Sequence, residues 1–343
     1  MESTLIALDV MGGDTAPQST LAGALQACSA AGGRQLPPER LLLVGDEQVI
    51  RRELELLSTG WEADFPEFIV RHASQVVEMG ESPSAALRSK PDSSIAVCVG
   101  AVKSGDAGAL VSMGNTGAVV ASSTLGLRTL SGVRRPGIAV TMGFTDRRMT
   151  LLDMGANIDP KPEHLLQYGL MGAVYARDCL GVEAPRIGLL NIGEERSKGT
   201  ALLKETHELL EASSLDFVGN VEGGDLFQEK ADVVVTDGFT GNVVLKLLEN
   251  YSALMVELVL GELKAHGVDW DPAALSSLER KIDYSETGGA LLLGVAGVVV
   301  IGHGRSDANA VANALSLAGR ALDAEVNDSI VEGVERARRE GVA

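Results

Sequence analysis

The sequence predicts an α/β protein with a largely parallel, buried sheet, and three observations carry that prediction. Short apolar runs rich in Leu, Val and Ile alternate along the chain with segments of helical periodicity, the pattern of successive βαβ units. The runs are near-continuously apolar, as strands covered on both faces are. At least six strand or turn ends carry dense Gly and polar residues, at Asp9, Ser112, Asp153, Asn191, Asp237 and His303. In open α/β sheets, ligands sit beyond the carboxyl ends of the strands.

The first run, residues 5–8, ends at Asp9, and Met11-Gly12-Gly13-Asp14-Thr15-Ala16-Pro17 leads into an Ala-rich helix over 18–30. A strand over 41–44 ends at Gly45-Asp46 and precedes a charged amphipathic helix through 57. After a strand at 69–70, a polar segment from Ser82 to Ser94 sets Arg88 and Lys90 beside helix-capping residues, and a helix reaches 104. Residues 109–111 form a buried strand that breaks into Ser112, Gly114, Asn115, Thr116 and Gly117, then resumes as a helix of small residues from Ala118. Strands over 138–142 and 149–152, joined by a turn at 145–148, are set to form an antiparallel hairpin. A helix over 162–180, a strand over 186–190 and a helix over 201–212 follow. A strand at 232–235 precedes a long helical segment over 243–265. The last strand, 297–301, opens through Gly302-His303-Gly304-Arg305-Ser306-Asp307 into a helix over 308–321. No composition shift marks a linker and no repeat has a fixed period, so residues 1–343 read as a single domain.

Composition narrows the function classes. Aromatics make up only 3% against 40 glycines, so the core rests on Leu, Val, Ile, Ala and Met. With 29 basic and 47 acidic residues the net charge is −18, which disfavours nucleic acid and leaves no basic footprint for anionic lipid. A phosphate site would have to be built locally. Cys28, Cys98 and Cys179 are too far apart for a CxxC pair and read as reduced, apolar thiols of a cytosolic protein. The N-terminus enters a strand without a basic n-region, so no signal peptide is expected. The longest nearly apolar run, 290–301, is about a dozen residues against the ~20 of a membrane span, and Gly294 and Gly297 interrupt it.

A strand that ends in a Gly-rich polar turn and opens a helix points backbone N–H groups at an anion, and residues 110–118 have that form. An ordinary β–α turn has the same composition. Nucleotide P-loop, nucleophile-elbow and dinucleotide-fingerprint motifs are missing. No metal site is expected: Asp9, Asp14, Asp153 and Asp237 are placed as turn, cap or substrate-orienting carboxylates. Lys198 follows Glu194-Glu195 in a strand-end loop beside Gly199, where it reads either as a solvated lysine or as a substrate-binding cation. Arg135, before Pro136, and Arg88 are weaker candidates of the same kind. His303, between two glycines, is free to face a ligand or to serve a structural hydrogen bond.

Several motifs then coincide with a known family. They are residues 6–17, Gly114-Asn115-Thr116-Gly117-Ala118, Arg135-Pro136, Leu152-Asp153-Met154-Gly155-Ala156-Asn157, residues 188–195, Lys198-Gly199, Val218-Gly219-Asn220-Val221-Glu222, residues 231–246 and Gly302-His303-Gly304. In this order and over nearly the whole chain, the sequence resembles the bacterial phosphate acyltransferase (PlsX) family, the acyl-ACP:phosphate acyltransferases of phospholipid synthesis. It departs at Gly224, where the family usually has Arg, and at Asn250, where it usually has Gly.

The resemblance implies a three-layer α/β/α fold like that of isopropylmalate dehydrogenase and phosphotransacetylase, in a homodimer. It implies transfer of a fatty acyl group from acyl carrier protein to inorganic phosphate, with phosphate itself as nucleophile and no cofactor. Lys198 and Asn115 are then the expected catalytic residues. Asp9, Gly12, Gly13, Ser112, Gly114, Thr116, Gly117, Arg135, Asn157, Asn191, Asp237 and His303 are expected to bind phosphate or substrate. Apolar residues recur at helical spacing over 243–265, and the helical segment at about 243–285 is expected to serve dimer or peripheral membrane contact. Hand-off of the product to a glycerol-3-phosphate acyltransferase would suit that placement. The acidic carrier would dock on a local basic patch, to which Arg134, Arg147 and Arg148 are assigned. Two rival functions share the sequence: a short-chain, phosphotransacetylase-like acyltransferase, and a catalytically silent lipid-sensing scaffold.

Overall fold

The computed structural model describes residues 4–29, 36–59, 65–143, 148–268 and 288–341. The chain divides into two compact units, residues 1–136 with 287–332, and residues 137–286 with 333–343.

In the first unit, β1 (Ile6–Asp9), β2 (Leu41–Gly45), β3 (Ile69–His72) and β4 (Ala109–Ser112) come from the first 112 residues, and β10 (Ala290–Leu293) and β11 (Val298–Ile301) from the return of the chain. Their order is β3-β2-β1-β4-β11-β10. All neighbours are parallel except the β10–β11 hairpin. Register sets Asp9 beside Ser112 and Ser112 beside Ile301, so three strands end side by side. Helices α1 (Gln18–Cys28), α2 (Glu47–Ser58), α3 (Pro83–Ser89), α4 (Ser94–Ser104) and α5 (Thr116–Leu127) alternate with these strands.

The second unit holds β5 (Gly137–Met142), β6 (Met149–Leu152), β7 (Arg186–Leu190), β8 (Asp216–Val221) and β9 (Val233–Val235) in the order β5-β6-β9-β7-β8. β5 and β6 pair antiparallel, as expected from the sequence, and the rest are parallel. The turn that joins β5 to β6 lies outside the described residues over 144–147. Helices α6 (Pro162–Leu180), α7 (Ala201–Glu211) and α8 (Gly238–Ala265) belong here, and α9 (Ala308–Asp323) and α10 (Val326–Arg339) close the chain. A mostly parallel sheet with helices on both sides is the predicted three-layer class.

The strands are apolar because both faces are covered: every residue of β1, β2, β4, β6 and β11 is buried. Fully burying one such Leu, Ile or Val side chain is worth about 1.5–3 kcal/mol. Aromatic content is low, but Tyr168 and Tyr175 are among the largest fully buried side chains. Cys28 and Cys98 are buried, Cys179 is half-buried and all three are free thiols. Burial pushes the Cys28 thiol up to about 11. Arg186 opens β7 with a two-pronged grip on Asp232, Nε to Oδ2 at 2.9 Å and a terminal nitrogen to Oδ1 at 3.0 Å. That grip fixes the start of β7 against the segment leading into β9.

Three elements depart from the sequence reading. β8 contains Asp216, Gly219 and Asn220, poor strand formers, and its register with β7 shifts between Ile187 and Gly188. The apolar run 290–301 is not one strand with a lead-in but a buried hairpin, with Gly294 at a φ of 91° between β10 and β11. α8 begins at Gly238 rather than 243, because Asp237 caps it. Among the described residues, no helix is long and apolar enough to cross a membrane. α8 nonetheless exposes Val243, Leu247, Tyr251, Leu254 and Leu258. The part of the expected helical segment over 269–285 lies outside the described residues.

Candidate active site

In the first unit the strand ends meet around Asp9. Its carboxylate is fully buried, and the Ser112 hydroxyl donates to Oδ2 at 2.6 Å. The Ser112 oxygen in turn accepts the Gly114 N–H at 3.1 Å. Gly12 closes the arrangement: a Cβ there would stand 2.5 Å from Asp9 Oδ2 and 2.7 Å from the Gly114 nitrogen, so only glycine lets the two loops touch. Burial raises the Asp9 pKa above the ordinary 3.8, offset in part by the Ser112 and Ser94 hydroxyls and the Met11 and Gly12 amides. Oδ1 has no partner at hydrogen-bonding distance among the described residues. The next loop joins through Asp14, whose N–H donates to the Gly304 carbonyl at 2.7 Å.

Asn115 has duties other than those of a free ligand amide. Its Oδ1 accepts the Ala118 N–H at 3.0 Å, capping α5. Its Nδ2 donates to the carbonyls of Glu78, Met79 and Glu81 at 3.3, 2.9 and 3.0 Å, which gathers the loop before α3 over the start of α5. The Gly114 N–H is likewise committed to Ser112. Thr116 and Gly117, at the first two helical positions, keep backbone N–H groups with no acceptor among the described residues. These two amides and the helix end behind them are what this turn offers an anion. The carboxyl-end loop of β11 is self-bonded: His303 Nδ1 accepts the Arg305 N–H at 3.2 Å, and Asp307 caps α9. Arg135 is exposed and makes no ion pair among the described residues.

In the second unit Asp153, just past β6, collects backbone donors. Oδ1 accepts from Ile138, Gly155 and Ala156 at 2.9, 3.0 and 2.9 Å, and Oδ2 from Asn157 at 2.7 Å. Burial raises its pKa, and these four N–H groups offset part of the rise. The Asn157 carbonyl accepts the Gly238 N–H at 2.9 Å, which ties this loop to the start of α8. Asp237 spends both carboxylate oxygens on Thr240, one on its N–H at 2.8 Å and one on its hydroxyl at 2.7 Å.

The loop after β7 carries Lys198. Asn191, nearly buried, donates from Nδ2 to the Lys198 carbonyl at 3.3 Å. The Lys198 N–H closes a turn on the Glu195 carbonyl at 3.0 Å. Gly199, at a φ of 86°, packs on the Asn191 side chain, and a Cβ there would stand 2.5 Å from Asn191 Oδ1. The Lys198 side chain is exposed, and its ammonium meets no acceptor among the described residues.

The structure thus gathers Asp9, Gly12, Ser112 and Gly114 around one buried carboxylate, with Gly13 beside Gly304 and Met113. In the second unit it gathers Asn157 on Asp153, and Asn191 on Lys198. Asp153, His207 and Asn220 are polar, buried and absent from the expected set of site residues. Asp153 carried a signal, as a carboxylate directly after an apolar strand, whereas the His207–Asn220 pair spans 13 residues and is invisible without the fold.

A family model described as "Fatty acid synthesis protein" matches residues 4–329. The phosphate acyltransferase of Desulforudis audaxviator is 44% identical over 341 residues, covering 98% of each chain. That of Nitratidesulfovibrio vulgaris is 43% identical over 340 residues, covering 97% of this chain and 96% of its own. Among solved structures, a phosphotransacetylase from Streptococcus pyogenes superposes with a TM-score of 0.62 at 15% identity, covering 94% and 95% of the two chains. That likeness carries the fold alone. The class is that of an acyltransferase enzyme on a phosphotransacetylase-like fold. The chain belongs to the fatty acid synthesis protein family, the PlsX family of the motif resemblance.

Proposed function

We propose that this enzyme transfers a fatty acyl group from acyl carrier protein to inorganic phosphate, yielding an acyl phosphate for phospholipid synthesis. The observation that carries the reading is the open amide pair of Thr116 and Gly117 at the start of α5, just after Gly114, whose N–H bonds the Ser112 of the Asp9–Ser112 pair, in a chain whose relatives are named phosphate acyltransferases. A phosphate oxygen attacks the thioester carbonyl carbon, forming the C–O bond and placing negative charge on the carbonyl oxygen. Collapse breaks the C–S bond and releases the carrier thiolate, which takes a proton from solvent. No acyl-enzyme is needed.

The protein's task is to hold a dianion against the carbonyl and stabilise the developing oxyanion. We assign the Thr116 and Gly117 amides to an anionic oxygen and Lys198 to neutralising charge in the transition state. Asp9, Gly12, Gly13, Ser112, Gly114, Asn115 and Asp237 shape and hold the loops. Asn157, Asn191, Arg135 and His303 complete the binding set. The exposed apolar residues of α8 favour a homodimer first, and peripheral membrane contact and product hand-off second; acidic Glu249, Glu257 and Glu262 on the same helix weaken attraction to anionic lipid. Absence of association with liposomes on flotation at low salt would remove the membrane part.

The test is incubation with palmitoyl-loaded acyl carrier protein and phosphate, trapping product with hydroxylamine. Phosphate-dependent hydroxamate is expected. Its absence overturns the reading, and acetyl donors outperforming palmitoyl-carrier donors would select the short-chain alternative. Lys198→Ala is expected to lower turnover by about 10²–10³-fold with folding intact.

A further inference from the structure

The motif Val218-Gly219-Asn220-Val221-Glu222 has no part in the chemistry above, yet Asn220 is 3% exposed and both ends of its amide are bonded. We propose that Asn220, oriented by His207, is a positioning residue that fixes the backbone from which Lys198 projects. The inference rests on the reading of Lys198 as the cation of the reaction.

Asn220 stands on β8 beside Leu189 of β7. Its Nδ2 donates to the Glu195 carbonyl at 3.1 Å, and the same carbonyl accepts the Lys198 N–H at 3.0 Å. One oxygen therefore joins the buried end of β8 to the turn that carries the lysine. A carbonyl can only accept, so the amide NH₂ must face Glu195 and the amide oxygen must face the His207 ring. His207 Nδ1 lies 3.1 Å from that oxygen, which requires the proton to sit on Nδ1. The ring is buried and held edge-on against Phe217, with centroids 5.0 Å apart and planes at 78°. Helix α7 thus sets the imidazole, the imidazole sets the amide, and the amide sets the turn.

Two other charged residues of this loop, Glu194 and Arg196, are engaged elsewhere, while Glu195 lies beside Gly193 with the Lys198 stem. Arg196 turns back to Glu211 at 2.8 Å, and Lys230 takes Glu194 at 2.5 Å and Asp225 at 3.2 Å. A lysine stem has four flexible carbons, so the position of its ammonium depends on how firmly its backbone is held. A misplacement of about 1 Å in a catalytic group costs on the order of 10²-fold in rate.

Steady-state kinetics of hydroxamate-trapped product test this. Asn220→Ala should lower kcat about 10–100-fold, with KM for the acyl donor within about 3-fold of wild type. His207→Leu should do the same, and His207→Asn, whose amide nitrogen takes the place of Nδ1, should recover most of the rate. In a Lys198→Ala background, Asn220→Ala should add nothing, because the amide acts through the lysine. Wild-type kcat for Asn220→Ala, or losses that multiply in the double variant, would overturn the inference while leaving Lys198 in place. Wild-type turnover of Lys198→Ala would overturn the Lys198 reading and the inference with it. Should Asn220→Ala melt at the growth temperature, the His207→Leu and His207→Asn pair decides: equal rates for the two would overturn the inference.

Discussion

Replacing Asp153 with Asn exchanges one oxygen of a buried carboxylate for a donor, in a place where four backbone N–H groups already converge. The amide oxygen can take only one of the two sites. Its better choice is Oδ1, where it keeps Ile138, Gly155 and Ala156. The Asn157 N–H, now 2.7 Å from Oδ2, would then face an NH₂ group. Losing a hydrogen bond to a charged group costs about 1.5–3 kcal/mol, and the three retained bonds weaken toward neutral strength. Against this, a neutral amide costs less to bury than a carboxylate, the same burial that raises the Asp153 pKa. The net expectation is about 2–3 kcal/mol of destabilisation for Asp153→Asn. For Asp153→Ala, which orphans all four donors, it is more than about 4 kcal/mol. Denaturant unfolding measures the totals, and hydrogen exchange at Gly155, Ala156 and Asn157 localises them. Asp153→Asn within about 0.5 kcal/mol of wild type, with unchanged exchange at Asn157, would refute the collecting role of the carboxylate.

Two further outcomes follow from the same kind of contact. The folded-state pKa of Asp9 is raised, so the folded protein holds that proton more tightly than the unfolded chain. Its contribution to stability is complete below the ordinary carboxylate value and is lost as pH rises through the raised one. Relative to Asp9→Asn, which keeps an acceptor for Ser112, the wild type should therefore lose stability as pH rises from the ordinary carboxylate value of 3.8 through the raised one; parallel profiles would contradict this. Gly199→Ala places a methyl against Asn191 at a left-handed backbone position. It should cost about 1–2 kcal/mol and lower kcat by loosening the Lys198 carbonyl, read from melts and kinetics on the same samples.

The order of most strands and helices was legible because apolar runs and helical periods alternate cleanly, and the polar residues marked where strands give way to loops. What those polar residues do there was not legible. Asn115, Asp237 and Asp307 sit where helices begin, and the residue types that cap a helix are those that bind an anion. Composition alone cannot separate the two uses. Strand β8 escaped because Gly219 and Asn220 weaken its strand signal, although Asn220 is there for its bonds rather than for its propensity. The hairpin of β10 and β11 escaped because Gly294 and Gly297 read as interruptions in one apolar run, when the first is the turn itself.

Asp9 and Asp153 make the same physical point in their separate units. Each follows or ends a buried strand, each has its pKa raised by burial, and each is spent on the protein's own loops. A buried carboxylate bonded in this way is a poor partner for a phosphate dianion, since like charges at short range in a low-dielectric setting repel strongly. On the proposed reading, these carboxylates tie the loops together and the groups left for the anion are amides and an ammonium. The Thr116 and Gly117 N–H groups and the Lys198 Nζ are donors that the fold leaves open. Changing the carboxylates should therefore move stability first and rate as a consequence, whereas changing Lys198 should move rate with stability nearly intact.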